Sequence, residues 1–301
     1  MFVSILASLV LYLLGLGRSN PFITFIGITG VIVLFLFLDR GDHHNNLLIM
    51  ETISNNSPQK GINPILKLFI TLFTIVIIVG ANSPLISFVA LIASIYHFTI
   101  INKTSYKHYL DFIHGPLIFI FLSILGIIIS ITKSPLGYID IPVFNFFISI
   151  TISSQEKGVK LLLVSLSSIS VLINFAATTP LGDIIYALKK LKLPWVLIEL
   201  MYLLYRYIFS LFYVFNSLQI SAKTRHGFSK IKTSYRTSMM LATRLFNKSF
   251  YMARNSYNAM ESRMYNGQLR FLEDNKSFKD GILYYIFLLT LILIFILEKV
   301  L

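Results

Sequence analysis

The sequence predicts an all-α polytopic membrane protein, with about 6-7 transmembrane helices and two long helices that are cytoplasmic or interfacial. Of its 301 residues, 55% are hydrophobic, whereas globular proteins contain roughly 45–50% apolar residues. The apolar residues cluster into seven runs with almost no charge, and a helix needs roughly 17–25 such residues to cross a bilayer. The runs are 2–17, 21–38, 65–80, 84–101, 116–132, 159–177 and 281–297. Together they indicate a multi-pass protein of the cell membrane.

The positive charge is concentrated near the C-terminal end of the chain. The net charge is +13, and residues 218–270 contain ten basic residues against one acid, Glu261. The ten are Lys223, Arg225, Lys230, Lys232, Arg236, Arg244, Lys248, Arg254, Arg263 and Arg270. Basic residues close to membrane spans are retained on the cytoplasmic side. This segment is therefore predicted to be cytoplasmic.

The same rule predicts the path of the chain through the membrane. We expect the N-terminus inside, the C-terminus outside, and smaller basic groups at 103–107 and 189–192 inside. External turns are predicted near Arg18, at 80–83 and at 133–159. The absence of cysteine excludes disulfides, thiolate catalysis and cysteine metal sites.

One apolar stretch, residues 195–217, breaks the alternation, because basic groups flank both of its ends. Its polar residues are spaced by seven, four, seven and four, which places them on one helical face. They are Glu199, Arg206, Ser210, Ser217 and Ser221. We therefore expect this stretch to lie in the interface or across the cytoplasmic face. The alternative is a further transmembrane span.

Two long helices are predicted in the cytoplasmic region. The first begins after Pro194, which suits a first helical turn, and ends at about Gly227, giving a length near 50 Å. The second runs from about Lys232 to Tyr265 and ends at Asn266-Gly267.

Each of these helices has an arginine near its C-terminal end, Arg225 in the first and Arg263 in the second. A cation there complements the negative end of the helix dipole, and its position beside a turn favours a specific partner. Most of the other basic residues are expected to face anionic lipid headgroups, and no nucleic acid partner is expected.

Methionines cluster in the second helix. Five of the eight lie there in this prediction: Met239, Met240, Met252, Met260 and Met264. Methionine adapts its packing easily, so this helix is predicted either to offer an adaptable partner surface or to fill irregular gaps between neighbours.

From about Met50 to Arg270 the chain resembles the transmembrane T component of energy-coupling factor (ECF) importers, in particular the CbiQ branch that serves cobalt and nickel. The resemblance rests on short motifs whose order and spacing match over some 200 residues. They are Asn63-Pro64-Ile65-Leu66-Lys67-Leu68, Thr178-Thr179-Pro180-Leu181-Gly182-Asp183, Ala187-Leu188-Lys189-Lys190-Leu191-Lys192-Leu193-Pro194, Tyr205-Arg206-Tyr207, Thr224-Arg225-His226-Gly227-Phe228 and Ala259-Met260-Glu261-Ser262-Arg263-Met264-Tyr265-Asn266-Gly267.

This resemblance implies a non-catalytic transport subunit with no cofactor. The two long helices would be crossed coupling helices that dock on two cytoplasmic ATPase subunits and hold a substrate-binding membrane subunit. The ATPase-coupling residues implied are Arg225, Gly227, Arg263, Tyr265 and Gly267. The surface for the substrate subunit would include Arg206, Met239, Met240, Met252 and Met260. No Gly-Lys dipeptide occurs in the chain, so it lacks the P-loop motif for nucleotide binding.

The chain departs from this family at two places. The second arginine motif, Ser262-Arg263-Met264, has methionine where the family has glycine, so a side chain must be accommodated. Residues 1–46 lie outside the usual family extent, as an added helical hairpin or an upstream start. The expected organisation is this hairpin, transmembrane helices at 47–179, the coupling region at 180–267 and a last span at 268–301.

Two alternatives remain open from the sequence. The first is a T component shared among vitamin importers, because this subunit carries little information about its cargo. The second is a metal-dependent membrane enzyme, for which the weak candidate ligands are His43 and His44, beside Asp42. Adjacent residues lack the i, i+4 spacing that presents two ligands together on a helix. His97, inside an apolar run, is expected to be a hydrogen-bonded structural residue.

Overall fold

The computed structural model describes Val10 and residues 46–81, 83–128, 130–132, 140–143 and 146–266. Contacts divide the described residues into two compact units, and the division falls between Pro180 and Leu181. The predicted N-terminal hairpin and the predicted last span lie, apart from Val10, outside the described residues.

From residue 46 onward, the described part of the first unit contains five α-helices. They are α1 (Asn46–Asn56), α2 (Pro64–Ala81), α3 (Pro84–Tyr96), α4 (Tyr106–Ile128) and α5 (Ile152–Thr178). A π-helical segment, His97–Ile101, continues α3. Both α2 and α3 begin with proline, whose missing N–H costs little at a first helical position.

Four of these elements are long and apolar enough to cross a membrane: α2, α3 with its π-helical segment, α4 and α5. A fifth helix of this kind lies in the second unit, at Trp195–Thr224. The prediction of an all-α polytopic membrane protein is thereby confirmed.

Helix α5 is the centre of the first unit and contacts α1, α2, α3 and α4. Small residues on α5, among them Ser167, Ser170 and Ala177, are buried and let neighbouring helices approach closely. The hydroxyl groups of Tyr109 and Ser170 lie 2.6 Å apart, which hydrogen-bonds α4 to α5. Phe98 packs on the Tyr109 ring with centroids 5.4 Å apart.

A small antiparallel sheet lies between α4 and α5, where the sequence predicted only an external turn at 133–159. Its strands are β1 (Ser130–Thr132), β2 (Asp140–Val143) and β3 (Phe146–Ser149), in the order β1-β3-β2. Helix α5 also begins earlier than the apolar run at 159–177, at Ile152. Glu156 and Lys157 precede that run in the sequence, but in the structure they occupy exposed positions in the first turns of α5.

The second unit consists of three helices in its described part. They are α6 (Leu181–Lys190), α7 (Trp195–Thr224) and α8 (Ile231–Glu261), and α7 packs against both α6 and α8. With 30 and 31 residues, α7 and α8 are each about 45 Å long.

One face of α8 packs against α7, and its less exposed residues recur at steps of three and four. They are Ser234, Thr237, Leu241, Leu245, Ser249, Met252, Ser256 and Met260.

Helix α7 is much less enclosed than the spans of the first unit. Only 11% of the residues in its most apolar 18-residue segment are buried, against 33–44% in the corresponding segments of those four spans. Its length and composition allow a crossing as well as an interfacial position, so its placement at the interface stays a prediction. Among the described residues, several large apolar side chains of α7 are exposed and open to lipid or to a partner.

Candidate functional site

Helix α7 ends in a Schellman turn that fixes the position of Arg225. The amide of Gly227 donates to the Ala222 carbonyl at 2.9 Å, and the amide of His226 donates to the Lys223 carbonyl at 3.0 Å. These two bonds are the pair that defines this turn. His226 has the left-handed conformation, with φ of 55°. Arg225 is the residue immediately before it.

Helix α8 ends in the same way. The amide of Tyr265 donates to the Met260 carbonyl at 3.1 Å, and the amide of Met264 donates to the Glu261 carbonyl at 3.0 Å. Met264 is left-handed, with φ of 58°. Arg263 therefore occupies the same backbone position in this turn as its counterpart in the turn that ends α7.

The two arginines are exposed cations on matching helix ends. Both side chains are exposed, and neither guanidinium forms a hydrogen bond or ion pair with the residues that the structure describes. Arg225 precedes α8 and Arg263 follows it, so the length of that helix places them about 45 Å apart. A guanidinium offers a planar fork that holds a carboxylate or carbonyl oxygens bidentately. The arrangement can therefore grip two separate acceptor sites.

Gly227 lies at the end of α7 as expected, but it is not the left-handed residue that terminates the helix. The left-handed residue of the turn is His226, whereas Gly227 has no such φ. Glycine is required there by a close approach, because a Cβ would lie 3.0 Å from the Ala222 carbonyl oxygen and 3.0 Å from the Thr237 side chain. The Thr237 hydroxyl donates to the Gly227 carbonyl at 2.9 Å. This contact joins the end of α7 to the second turn of α8.

Met264 takes the backbone conformation that favours glycine, at the position where the family that the sequence resembles has glycine. Its side chain is 90% exposed, so the extra atoms project away from the helix pair. The sequence placed Met264 inside the helix and the stop at Asn266-Gly267. In the structure α8 ends at Glu261, because the Schellman turn is formed by residues 260–265, before Asn266-Gly267. Gly267 lies outside the described residues.

Tyr265 ties the end of α8 to the start of α7. Its hydroxyl donates to the Glu199 carboxylate. Glu199 is 8% exposed, whereas Arg206, Ser210 and the other polar residues predicted to share its face are exposed. The hydrogen bond to Glu199 raises the pKa of Tyr265, with smaller contributions in the same direction from desolvation and nearby charge.

The methionines of α8 divide between two faces. Met252 and Met260 are half-buried on the face toward α7, whereas Met239 and Met240 are 56% and 50% exposed. Met239 belongs to a stripe of exposed residues that we call the aromatic stripe. It comprises Tyr235, Met239, Phe246, Phe250 and Tyr257, at steps of four and seven. The methionine pattern alone does not predict these aromatic residues, but their spacing by four and seven in the sequence does.

Lys67 is a buried cation that was not predicted from the sequence to be a site residue. It is 1% exposed, and its Nζ donates to the carbonyls of Gln59 and Thr178, both at 2.7 Å. Thr178 is the last residue of α5, so the ammonium group complements the negative end of that helix. Two motifs that were read separately in the sequence, around Asn63-Pro64 and Thr178-Thr179, are brought together by this contact.

His97 is hydrogen-bonded on both ring nitrogens, in keeping with the structural role expected for it. Its Nε2 lies 3.1 Å from Gln59 Nε2, and its Nδ1 lies 2.9 Å from Asn174 Oδ1. Asn174 Nδ2 donates in turn to the Ser94 carbonyl at 3.1 Å. In the neutral ring these partners place the hydrogen on Nδ1 and leave Nε2 as the acceptor.

Metal ligands are not brought together in the part of the chain that the structure describes. Within it, no group of three His, Cys, Asp or Glu side chains is placed to hold an ion. The weak candidates His43 and His44 lie outside the described residues.

Comparison with known proteins is consistent with this architecture. Residues 55–272 match the family of CbiQ cobalt transport proteins. An uncharacterized protein of Methanocaldococcus jannaschii is 28% identical over 253 residues, which cover 83% of this chain and 94% of that protein. A protein of Methanocorpusculum labreanum named as a fused cobalt transport protein CbiMQ is 28% identical over 231 residues, or 75% of this chain and 38% of its own length. Because the family match covers more than half of its length, the chain belongs to the CbiQ family of cobalt transport proteins.

Proposed function

We propose that this chain is the transmembrane coupling (T) subunit of an ECF-type importer. It would transmit the conformational change of two cytoplasmic ATPase subunits to a substrate-binding membrane subunit. The observation that carries this proposal is the pair of exposed arginines on identical helix-terminal turns. Such a pair suits two docking sites of similar shape on two partner subunits.

The turns make each arginine a suitable mechanical joint. Two backbone hydrogen bonds fix each turn, so a force on the guanidinium is passed to the helix rather than absorbed by a loose loop. The two helices are also tied together at both ends, through Thr237 with Gly227 and through Tyr265 with Glu199. Movement of either ATPase subunit would therefore displace the helix pair as a whole.

The aromatic stripe of α8 supports the presence of a membrane partner. Phe246 and Phe250 are 62% and 63% exposed, and their rings meet edge to face with centroids 4.8 Å apart. Exposed contiguous apolar surface of this kind marks protein or membrane contacts. With Arg206 and the exposed methionines, it is the surface that we assign to the substrate-binding subunit.

The cargo that we propose is cobalt or nickel. This assignment is supported by the family match and by the relative whose name refers to cobalt transport. Catalysis of ATP hydrolysis is assigned to the partner subunits, because the chain contains no Gly-Lys dipeptide of a P-loop.

Charge reversal of the two arginines tests the proposal. We expect Arg225→Glu and Arg263→Glu each to weaken ATPase association by at least about 30-fold, since loss of a charged interface partner costs about 2–5 kcal/mol. Membrane insertion and the melting of the chain should be unchanged, because neither side chain has a partner among the described residues. The measurements are co-purification of the ATPase subunits in mild detergent and uptake of cobalt by cells.

Arg244→Glu is the matched control, because it reverses an exposed arginine in the middle of α8, away from both turns. It should retain ATPase binding. Normal co-purification with both end variants would reject the coupling role. A different outcome would reject only the proposed cargo. In that case the unmodified complex co-purifies normally with its ATPase subunits but takes up a vitamin instead of cobalt.

A further inference from the structure

A small cavity with several polar groups in a mainly apolar lining lies among α2, α3 and α5, beside the hydrogen-bonded His97. Its polar lining comes from Thr71 and Thr74 of α2, Ser94 of α3, His97 of the π-helical segment and Asn174 of α5. The Thr71 hydroxyl already donates to the Lys67 carbonyl at 2.7 Å. π-Helical turns inside α-helices occur frequently at functional sites. Polar groups facing a common space between membrane helices need partners there, because lipid supplies none.

Two hydroxyl groups in the cavity have no hydrogen-bond partner among the described residues. They are Thr74 Oγ1 and Ser94 Oγ, and their side chains are 0% and 1% exposed. Buried hydroxyls are rarely left unsatisfied. Asn174 Nδ2 uses one of its two hydrogens for the Ser94 carbonyl, which leaves a second N–H beside the same space.

The cavity has room for one small occupant. About 20 Å³ is open to the centre of a water molecule, and roughly 10–15 Å³ of such space is enough to hold one water. Buried waters make about three hydrogen bonds to polar groups that otherwise have none. Two hydroxyls and one amide N–H match that requirement. The set is too poor in oxygen ligands for a metal ion, which takes six or more when calcium is bound.

We propose that this cavity binds one water molecule, held by Thr74 Oγ1, Ser94 Oγ and Asn174 Nδ2. The water joins three helices at one point and extends the hydrogen-bonded chain of Gln59, His97 and Asn174 as far as α2. This water would be a structural ligand of the first unit. It is independent of the helix-terminal turns that hold Arg225 and Arg263.

The sign of a stability change tests this proposal. Thr74→Val and Ser94→Ala remove one hydroxyl each and nearly preserve shape. If a water bridges the two groups, each variant takes away one of its partners, and the melting temperature of the purified full chain should fall by about 2–4 °C. If the space is dry, each variant removes an unsatisfied buried hydroxyl, and the melting temperature should rise by a similar amount.

Ser87→Ala is the control, because Ser87 is buried on α3 two turns earlier and its hydroxyl already donates to the Ser83 carbonyl. It gives the cost of losing a hydrogen bond outside the cavity. In the double variant of Thr74 and Ser94, a shared water predicts a smaller loss than the sum of the two single losses. Higher or unchanged melting temperatures for both single variants, or strictly additive losses, would overturn the proposal.

A direct check is the density in a high-resolution structure of the complete transporter. We expect a peak within hydrogen-bonding distance of both hydroxyls. A cavity without such a peak would contradict the assignment.

Discussion

Replacing Met264 by glycine tests whether the turn at the end of α8 is held in a conformation that its sequence disfavours. Met264 has φ of 58°, in the left-handed region where a side chain costs roughly 1–2 kcal/mol. Glycine avoids that cost. The side chain is 90% exposed, so its removal sacrifices almost no packing.

The expected gain is smaller than the strain itself. Glycine also increases the conformational freedom of the unfolded chain, which costs about 0.4–1 kcal/mol. The net stabilisation of the turn should therefore be about 0.5–1 kcal/mol, equivalent to a two- to fivefold shift in the local opening equilibrium.

Hydrogen exchange measured by mass spectrometry on the segment that ends α8 is the suitable assay. The amide of Tyr265, which donates to the Met260 carbonyl, should exchange about two to five times more slowly in Met264→Gly. Met260→Gly is the opposite control, because glycine inside the last turn of a helix costs about 1 kcal/mol. Faster or equal exchange in Met264→Gly would refute the assignment of strain to this residue.

Three further predictions follow from contacts in the two units. Gly227→Ala should destabilise the joint between α7 and α8 by about 1–3 kcal/mol, as measured by thermal unfolding. The reason is that the new Cβ would lie 3.0 Å from backbone and side-chain atoms. Gly182→Ala is the control and should not destabilise the protein, because no atom among the described residues lies within 4 Å of its Cβ position. Tyr265→Phe should loosen the start of α7, which would be seen as faster hydrogen exchange there. It should also abolish the loss of stability that accompanies the breaking of the hydrogen bond between Tyr265 and Glu199 at high pH. Since the pKa of Tyr265 is raised, the stabilisation is complete below about pH 10 and disappears only as the pH rises through the higher folded-state pKa; unchanged exchange would contradict the role of this bond. Lys67→Met should cost about 2 kcal/mol or more, because it removes a buried ammonium group that donates to the carbonyls of Gln59 and Thr178. The exposed Lys60→Met should be nearly neutral, and equal melting temperatures for these two variants would be the contrary result.

The transmembrane helices of the first unit could be predicted from the sequence because lipid imposes a simple requirement on composition. A run such as 65–80 needs no knowledge of its neighbours to be recognised as a span, and α2 covers it with a margin of one residue at each end. The start of α5 was placed too late, since the charged residues Glu156 and Lys157 resemble a loop in sequence. On a helix they form exposed first turns.

The parts of the candidate sites that could not be predicted from the sequence depend on local backbone conformation or on contacts between distant residues. Arg225 and Arg263 could be proposed as coupling residues because they stand near turn-forming residues in the chain. Their identical backbone positions could not be predicted, since a left-handed methionine at position 264 has no signal in the sequence. Lys67 was likewise missed as a site, because both of its acceptors are carbonyl groups, which every residue type possesses.

The seat of Lys67 has a consequence for the order in which the protein is assembled. One of its two acceptors is the carbonyl of Thr178, 111 residues farther along the chain. While the ribosome is still adding those residues, the ammonium group lacks this acceptor and depends on the Gln59 carbonyl, water and lipid headgroups for its solvation. We therefore expect α2 to reach its final depth only after α5 has been inserted, which makes closure of the membrane unit a late event in its biogenesis.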